Sequence, residues 1–232
     1  MIVMVDEGAA ELQRIMSEKL LVPVFQPILD FRARAFLGYE ALIRGPQGSV
    51  LKMPNELFTL ARSLGLGLEL EHVCREVTLS TFARLKLPGR LFLNVSPGAL
   101  LDERMMSGET PHLLNELGIA PNRIVIELTE NEKITDLPGI YAALGEYRGR
   151  GFQIAIDDLG EGFANLRMWS EVQPEYVKID KHFVHGIAND RIKYHFVRAM
   201  QDLAEICNAS LVAEGIECAE DFACIRDMGI SC

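Results

Sequence analysis

Short apolar runs rich in β-branched residues recur along the chain, and longer segments with helical spacing separate them. The runs fall at 22–29, 35–43, 91–95, 123–128, 152–157, 176–180 and 210–214. Helical periodicity marks 8–20, where Leu12, Ile15, Met16 and Leu20 share one face, and then 54–63, 67–85, 110–118, 137–149, 188–206 and 218–228. This alternation restricts the fold more than any other feature of the sequence. Strands that alternate with helices build a largely parallel sheet covered by helices. The link between the first two runs is too short for a crossover, so that pair is expected to be an antiparallel hairpin. A chain of 232 residues suits one βα barrel. The rhythm breaks off at Cys232, where a further strand is expected to begin.

A βα barrel places its chemistry at the C-terminal ends of its strands. Here those ends carry Glu40, Asn94, Glu127, Asp157 with Asp158, Lys178 with Asp180, and Glu214. Strands are depleted in these residue types. Any one of them could be a helix cap or an ion-pair partner, but strand after strand ending this way needs another reason. Carboxylates gathered on one rim repel one another unless cations lie between them. The donors are oxygens, with an asparagine carbonyl and no His or Cys, so the pattern favours Mg²⁺ or Mn²⁺ over zinc.

The net charge of −10 argues against a DNA or RNA polymer as partner, because such proteins carry a basic surface. It leaves open a small anionic ligand reached through cations. Five scattered cysteines without C-x-x-C spacing form no disulfide framework, and free thiols fit a reducing, cytoplasmic setting. Asp6, Glu7 and Glu11 are unlike a signal peptide, and no apolar run reaches the ~18 residues that span a bilayer. The domain is therefore expected to be cytoplasmic, although a longer parent protein could be membrane-anchored. His182 and His185 leave the end of a strand and are read as solvated or capping rather than ligating. Trp169 and Phe163 are read as packing the rim or a dimer face.

The residues Tyr39–Arg44 read YEALIR. Further motifs follow a fixed order around them: Gln26-Pro27-Ile28, Asn94-Val95-Ser96-Pro97, Glu127-Leu128-Thr129-Glu130, Asp157-Asp158, Val177-Lys178-Ile179-Asp180 and Ala213-Glu214-Gly215-Ile216-Glu217. On these motifs the chain resembles the EAL domain family over roughly residues 20–232. The resemblance implies a modified TIM (β/α)8-type barrel with one antiparallel strand, hydrolysing cyclic-di-GMP to linear pGpG with two Mg²⁺ or Mn²⁺ ions. Ca²⁺ is expected to bind without supporting turnover. By resemblance, Glu40, Asn94, Glu127, Asp157 and Asp158 hold the metals, with Asp157 bridging them and Asp158 expected beside it on a turn that follows the strand. Lys178 and Glu214 are the catalytic positions. Gln26, Leu42, Arg44 and Asp180 lie on the substrate side, and Glu130 and Glu217 steady loops. A homodimer, and fusion to sensory or other signalling domains, are also implied. Residues 1–20 read as a helix leading into a barrel at 21–232, either a linker from an upstream domain or a plug for the barrel.

Two departures stand out. Leu159 and Glu161 occupy positions where the family commonly has Phe and Thr, although Gly160 and Gly162 remain. The family's final Gln-Gly-aromatic motif would fall just beyond Cys232, so the last strand is expected to be truncated. Hydrolysis and barrel closure are then expected to be impaired relative to a longer version. Two other readings remain open: a cyclic-di-GMP receptor that has lost catalysis, and a metal-dependent barrel acting on another phosphoester. The complete metal set argues against the first, and Leu42 and Arg44 argue against the second.

Overall fold

The computed structural model describes residues 2–106, 108–128, 136–159, 164–230 and 232. Among the described residues, seven strands form one sheet in sequence order: β1 (Val22–Asp30), β2 (Ala35–Arg44), β3 (Arg90–Val95), β4 (Ile124–Leu128), β5 (Gln153–Leu159), β6 (Tyr176–Ile179) and β7 (Ser210–Ala213). β1 and β2 pair antiparallel, and every later pair is parallel. The helices are α1 (Ile2–Ser17), α2 (Pro54–Ser63), α3 (Gly67–Leu85), α4 (Pro97–Leu100), α5 (Glu103–Met106), α6 (Glu109–Glu116), α7 (Leu137–Gly149), α8 (Ala164–Val172), α9 (Lys181–Val184), α10 (Arg191–Cys207) and α11 (Ala219–Asp227). The fold is that of a modified TIM barrel with one antiparallel strand, as the alternation and the hairpin led one to expect.

Local sequence explains the element ends. Pro54 opens α2, where its missing N–H costs nothing. Asp136 caps α7 by accepting from the Gly139 amide, and Asp190 caps α10 by accepting from the amides of Ile192 and Lys193. α10 therefore starts three residues later than periodicity placed it. The short helices α4, α5 and α9 are too brief to show a period. Gly38 lets β2 meet β3 closely, since a Cβ there would lie 2.2 Å from the Arg90 carbonyl oxygen.

Among the described residues, three apolar clusters hold the fold. The largest lies between the strands and their covering helices and includes Leu93, Ile126, Ile154, Val177, Leu211 and Trp169. Trp169 is fully buried there, so it packs the core and not the rim. A second cluster joins α1 to α2 and α3 through Leu12, Ile15, Leu57, Ala61 and Leu70. The third fills the barrel interior with Ile28, Phe92, Val125, Ala155, Tyr176, Val212 and Cys232.

The interior cluster positions the site. Side chains on a strand return to the same face every second residue. Phe92, Val125, Ala155, Tyr176 and Val212 face inward, so Asn94, Glu127, Asp157, Lys178 and Glu214 are carried onto that same face one step further along. On antiparallel β1 the order reverses, with Gln26 ahead of Ile28 and opposite Glu40. The apolar layer is thus a floor under a polar rim. The turn between β1 and β2 reaches the far side of the sheet, where Phe31 stacks edge-on against Phe222 at 4.7 Å and Arg32 donates to the Gly229 carbonyl. The Ala213 amide donates to the Cys232 carbonyl at 2.9 Å, which lays the last residue beside β7.

Candidate functional site

Lys178 is the focus of the rim. Its side chain is 2% exposed, and Nζ contacts Glu40 Oε2 at 3.0 Å, Asp157 Oδ1 at 3.1 Å, Glu214 Oε1 at 2.6 Å and Glu127 Oε1. Carboxylates from β2, β4, β5 and the end of β7 thus converge on one ammonium from β6. Burial alone would lower the lysine's pKa, but the surrounding carboxylates outweigh it and hold the ammonium well above its ordinary value. Burial pushes the Glu127 carboxyl well up, with Lys178 opposing and Asp157 and Glu40 adding to the rise. Burial likewise raises Glu214, against the pull of Lys178.

The charges do not balance. One ammonium faces Glu40, Glu127, Asp157 and Glu214. Glu127 is fully buried, and its Oε2 accepts no hydrogen bond among the described residues. Such an oxygen calls for a cation or a donor. Asn94 Nδ2 donates to Glu40 Oε1 at 3.4 Å, which leaves the Asn94 carbonyl oxygen free of that bond. The donors are all hard oxygens, so the chemistry of the set fits Mg²⁺ or Mn²⁺. The present arrangement is not a finished ligand shell. Among the described residues no three His, Cys, Asp or Glu side chains surround a common point ready for a metal. Lys178 holds the centre they share.

The other expected positions fall in varied places. The backbone of Asp158 belongs to β5, where a turn was expected, and the pairing with β6 shifts register between Ile156 and Leu159. An irregular strand replaces the turn as the device that breaks strict alternation beside Asp157. The Asp158 side chain, Glu130 and the loop Gly160–Phe163 lie outside the described residues. Gln26 is exposed on β1. The Asp180 carboxylate accepts from the His182 amide as the cap of α9. Glu217 is exposed, 4.0 Å from His185 Nδ1, and both histidines at this strand end are solvated.

Beside the carboxylates a cavity of about 490 Å³ opens between β2, β3 and the helices α2 and α3. Leu42, Arg44 and Asn94 line one side, and Asn55, Phe58 and Arg62 of α2 line another. Arg44 Nη1 donates to the Ile43 carbonyl at 2.8 Å. On α3 the Glu71 carboxylate accepts from the Ser96 amide at 3.2 Å and so steadies the turn that follows Asn94. Reasoning from strand ends missed Glu71 and the α2 residues, because neither lies on a strand. The helical spacing of Asn55, Phe58 and Arg62 was the available signal.

Fold and rim together define a TIM-type α/β barrel domain with an acidic site at the C-terminal ends of its strands. The EAL domain model matches residues 9–232, and the chain belongs to the EAL domain family. It is 32% identical over 210 residues to the probable cyclic di-GMP phosphodiesterase PdeI of Escherichia coli, covering 86% of this chain and 26% of that protein. A standalone EAL protein from Vibrio cholerae, solved in a c-di-GMP bound form, is 27% identical with a TM-score of 0.81, covering 91% of this chain and 87% of that one. Klebsiella pneumoniae BlrP1, solved as a manganese and cyclic-diGMP complex, is also 27% identical with a TM-score of 0.81, covering 91% and 53%. The chain spans between 26% and 56% of the length of the first curated relatives it matches. Among the described residues, no helix is long and apolar enough to cross a membrane.

Proposed function

We propose that the domain hydrolyses cyclic-di-GMP to linear pGpG with two Mg²⁺ or Mn²⁺ ions. The convergence of four carboxylates around Lys178, with one buried Glu127 oxygen unpartnered among the described residues, carries this reading. The family membership and the names of the relatives support it. Glu40, Asn94, Glu127, Asp157 and Asp158 would hold the cations, and Asp157 has two oxygens with which to bridge. Bound there, the ions would neutralise the phosphate and make water a usable nucleophile near neutral pH.

The protein groups do the rest. Arg44 offers a planar guanidinium that hydrogen-bonds a phosphate in paired fashion, and Leu42 gives the ligand an apolar wall. With cations bound among these carboxylates, Lys178 would share them with the metals, and its ammonium would be available to the reacting phosphate. Glu214, at the rim and partly exposed, receives a proton from the attacking water. The water oxygen forms the new bond to phosphorus, the bond from phosphorus to O3′ breaks, and O3′ leaves as an alkoxide that takes up a proton from solvent.

A second copy of the chain is the proposed partner. Ile192, Phe196, Leu203 and Ile206 leave an apolar stripe on the solvent side of α10, and basic residues near its start complement Asp202 and Glu205 near its end in an antiparallel pairing. The longer relatives support fusion to further signalling domains.

Incubation with cyclic-di-GMP and Mg²⁺, read by chromatography for pGpG, tests the reaction. Glu40→Ala is expected to lower turnover on the order of a hundredfold or more, since a metal contributes several kcal/mol to such a transition state. Unchanged turnover in that variant would remove the metal assignment. Tight binding of intact ligand by the unaltered protein, with no product, would favour a receptor.

A further inference from the structure

Asn55, Phe58 and Arg62 stand at i, i+3 and i+7 on α2 and so share one face. The other face carries Leu57 and Ala61 into the core against α1. α2 therefore turns an amide, a half-buried aromatic ring and a guanidinium toward the cavity that also holds Leu42 and Arg44. A cavity of about 490 Å³ falls in the range of small-molecule sites, roughly 300–1,000 Å³. The chain carries a net charge of −10, yet neither Arg44 nor Arg62 is paired with a carboxylate among the described residues. A cation in the last turn of α2 does favour the helix dipole, but any position in that turn would serve the dipole. Only the face shared with Asn55 and Phe58 brings Arg62 to the cavity.

We propose that Arg62 is a specificity-determining residue that reads one guanine of the ligand. This inference rests on the reading of the domain as a cyclic-di-GMP site. Guanine presents two adjacent acceptors, O6 and N7, to which a guanidinium donates two parallel hydrogen bonds. Adenine presents an acceptor and an amino donor there, so the same fork meets N–H against N–H. Phe58 gives the base an aromatic wall, and Arg44 stays with the phosphate. The two arginines divide the work: Arg44 next to the rim senses charge, and Arg62 on the helix senses the base.

Binding of cyclic-di-GMP and of cyclic-di-AMP, measured by calorimetry in Ca²⁺ buffer with chromatography confirming intact ligand, tests the assignment. The unaltered protein is expected to prefer cyclic-di-GMP. Arg62→Ala should weaken cyclic-di-GMP by roughly five- to a hundredfold, from the worth of one bidentate base contact, and should change cyclic-di-AMP less than about twofold. Arg62→Lys keeps the charge but not the fork, so it too should lose discrimination. Arg62 is exposed, so both variants should melt with the unaltered protein. Equal weakening of both ligands in Arg62→Ala, or no weakening of either, would overturn the inference and leave the phosphodiesterase reading in place. Failure of the unaltered protein to bind cyclic-di-GMP would overturn both.

Discussion

Replacing Lys178 with Met removes the one buried ammonium that faces Glu40, Glu127, Asp157 and Glu214, while keeping much of its length. Removing one partner of a buried ion pair costs about 3–5 kcal/mol, because the remaining charge is left uncompensated. In a domain of this size each kcal/mol lowers the melting temperature by about 2–4 °C. In a chelating buffer, Lys178→Met should therefore melt about 6–20 °C below the unaltered protein. The loss should deepen with pH. Burial raises the folded-state pKa of Glu127 and Glu214. Acids whose pKa is raised on folding destabilise the fold as pH climbs through the raised values. Without the lysine nothing offsets this, so the deficit should be larger at pH 8 than at pH 6. Millimolar Mn²⁺ should close more than half of the gap, since a cation held by the folded state alone stabilises it by mass action. Thermal melts monitored by circular dichroism, with and without metal at both pH values, provide the assay. A deficit of equal size with and without Mn²⁺, or no deficit in chelator, would refute the account of Lys178 as the rim's counter-charge.

Two further outcomes concern the scaffold. Asp221 is 2% exposed, and its oxygens accept from the amides of Gly186 and Ala188 at 2.8 and 3.0 Å. Asp221→Ala removes the shared acceptor of these two part-buried amides and should cost about 1–3 kcal/mol in urea unfolding, while Asp221→Asn should lose about half as much. The Arg104 guanidinium beside Asp102 holds that carboxyl at about 2. A carboxyl depressed on folding stabilises the fold above its unfolded value of about 3.9, and the benefit is lost as pH falls toward the folded value. The stability difference between the unaltered protein and Asp102→Asn should thus be constant above about pH 5 and should shrink between about pH 4 and pH 2.

Much of the fold was legible because strands and helices leave different periods in a sequence. Helices α2, α3 and α7 have the bounds their periodicity indicates. The fully buried runs of β4 and β6 are nearly unbroken apolar stretches interrupted by Glu127 and Lys178, which is why those two residues stood out. Asp158 was harder to place. A turn was the simplest way to let neighbouring acids serve one site, yet the strand continues and shifts register instead. Such a bulge depends on pairing with β6, and pairing is not written in the local sequence. Trp169 was read as packing the rim or a dimer face. The packing of α8 on the sheet buries it.

The residue types, their order and their places at strand ends were determined by the sequence alone. Those three facts were enough to mark an acidic rim and the family that carries it. The sequence could not say that Lys178 would sit among four carboxylates. That depends on how far the sheet curls, which brings side chains 138 residues apart, such as Glu40 and Lys178, within 3.0 Å. Nor could it say that one face of α2 would join Leu42 and Arg44 around a cavity, because Asn55, Phe58 and Arg62 are brought to the barrel by the packing of Leu57 and Ala61 in a cluster with α1 and α3. Periodicity is a property of neighbours along the chain. Convergence on a shared charge or cavity is a property of packing, and the tertiary structure alone decides it.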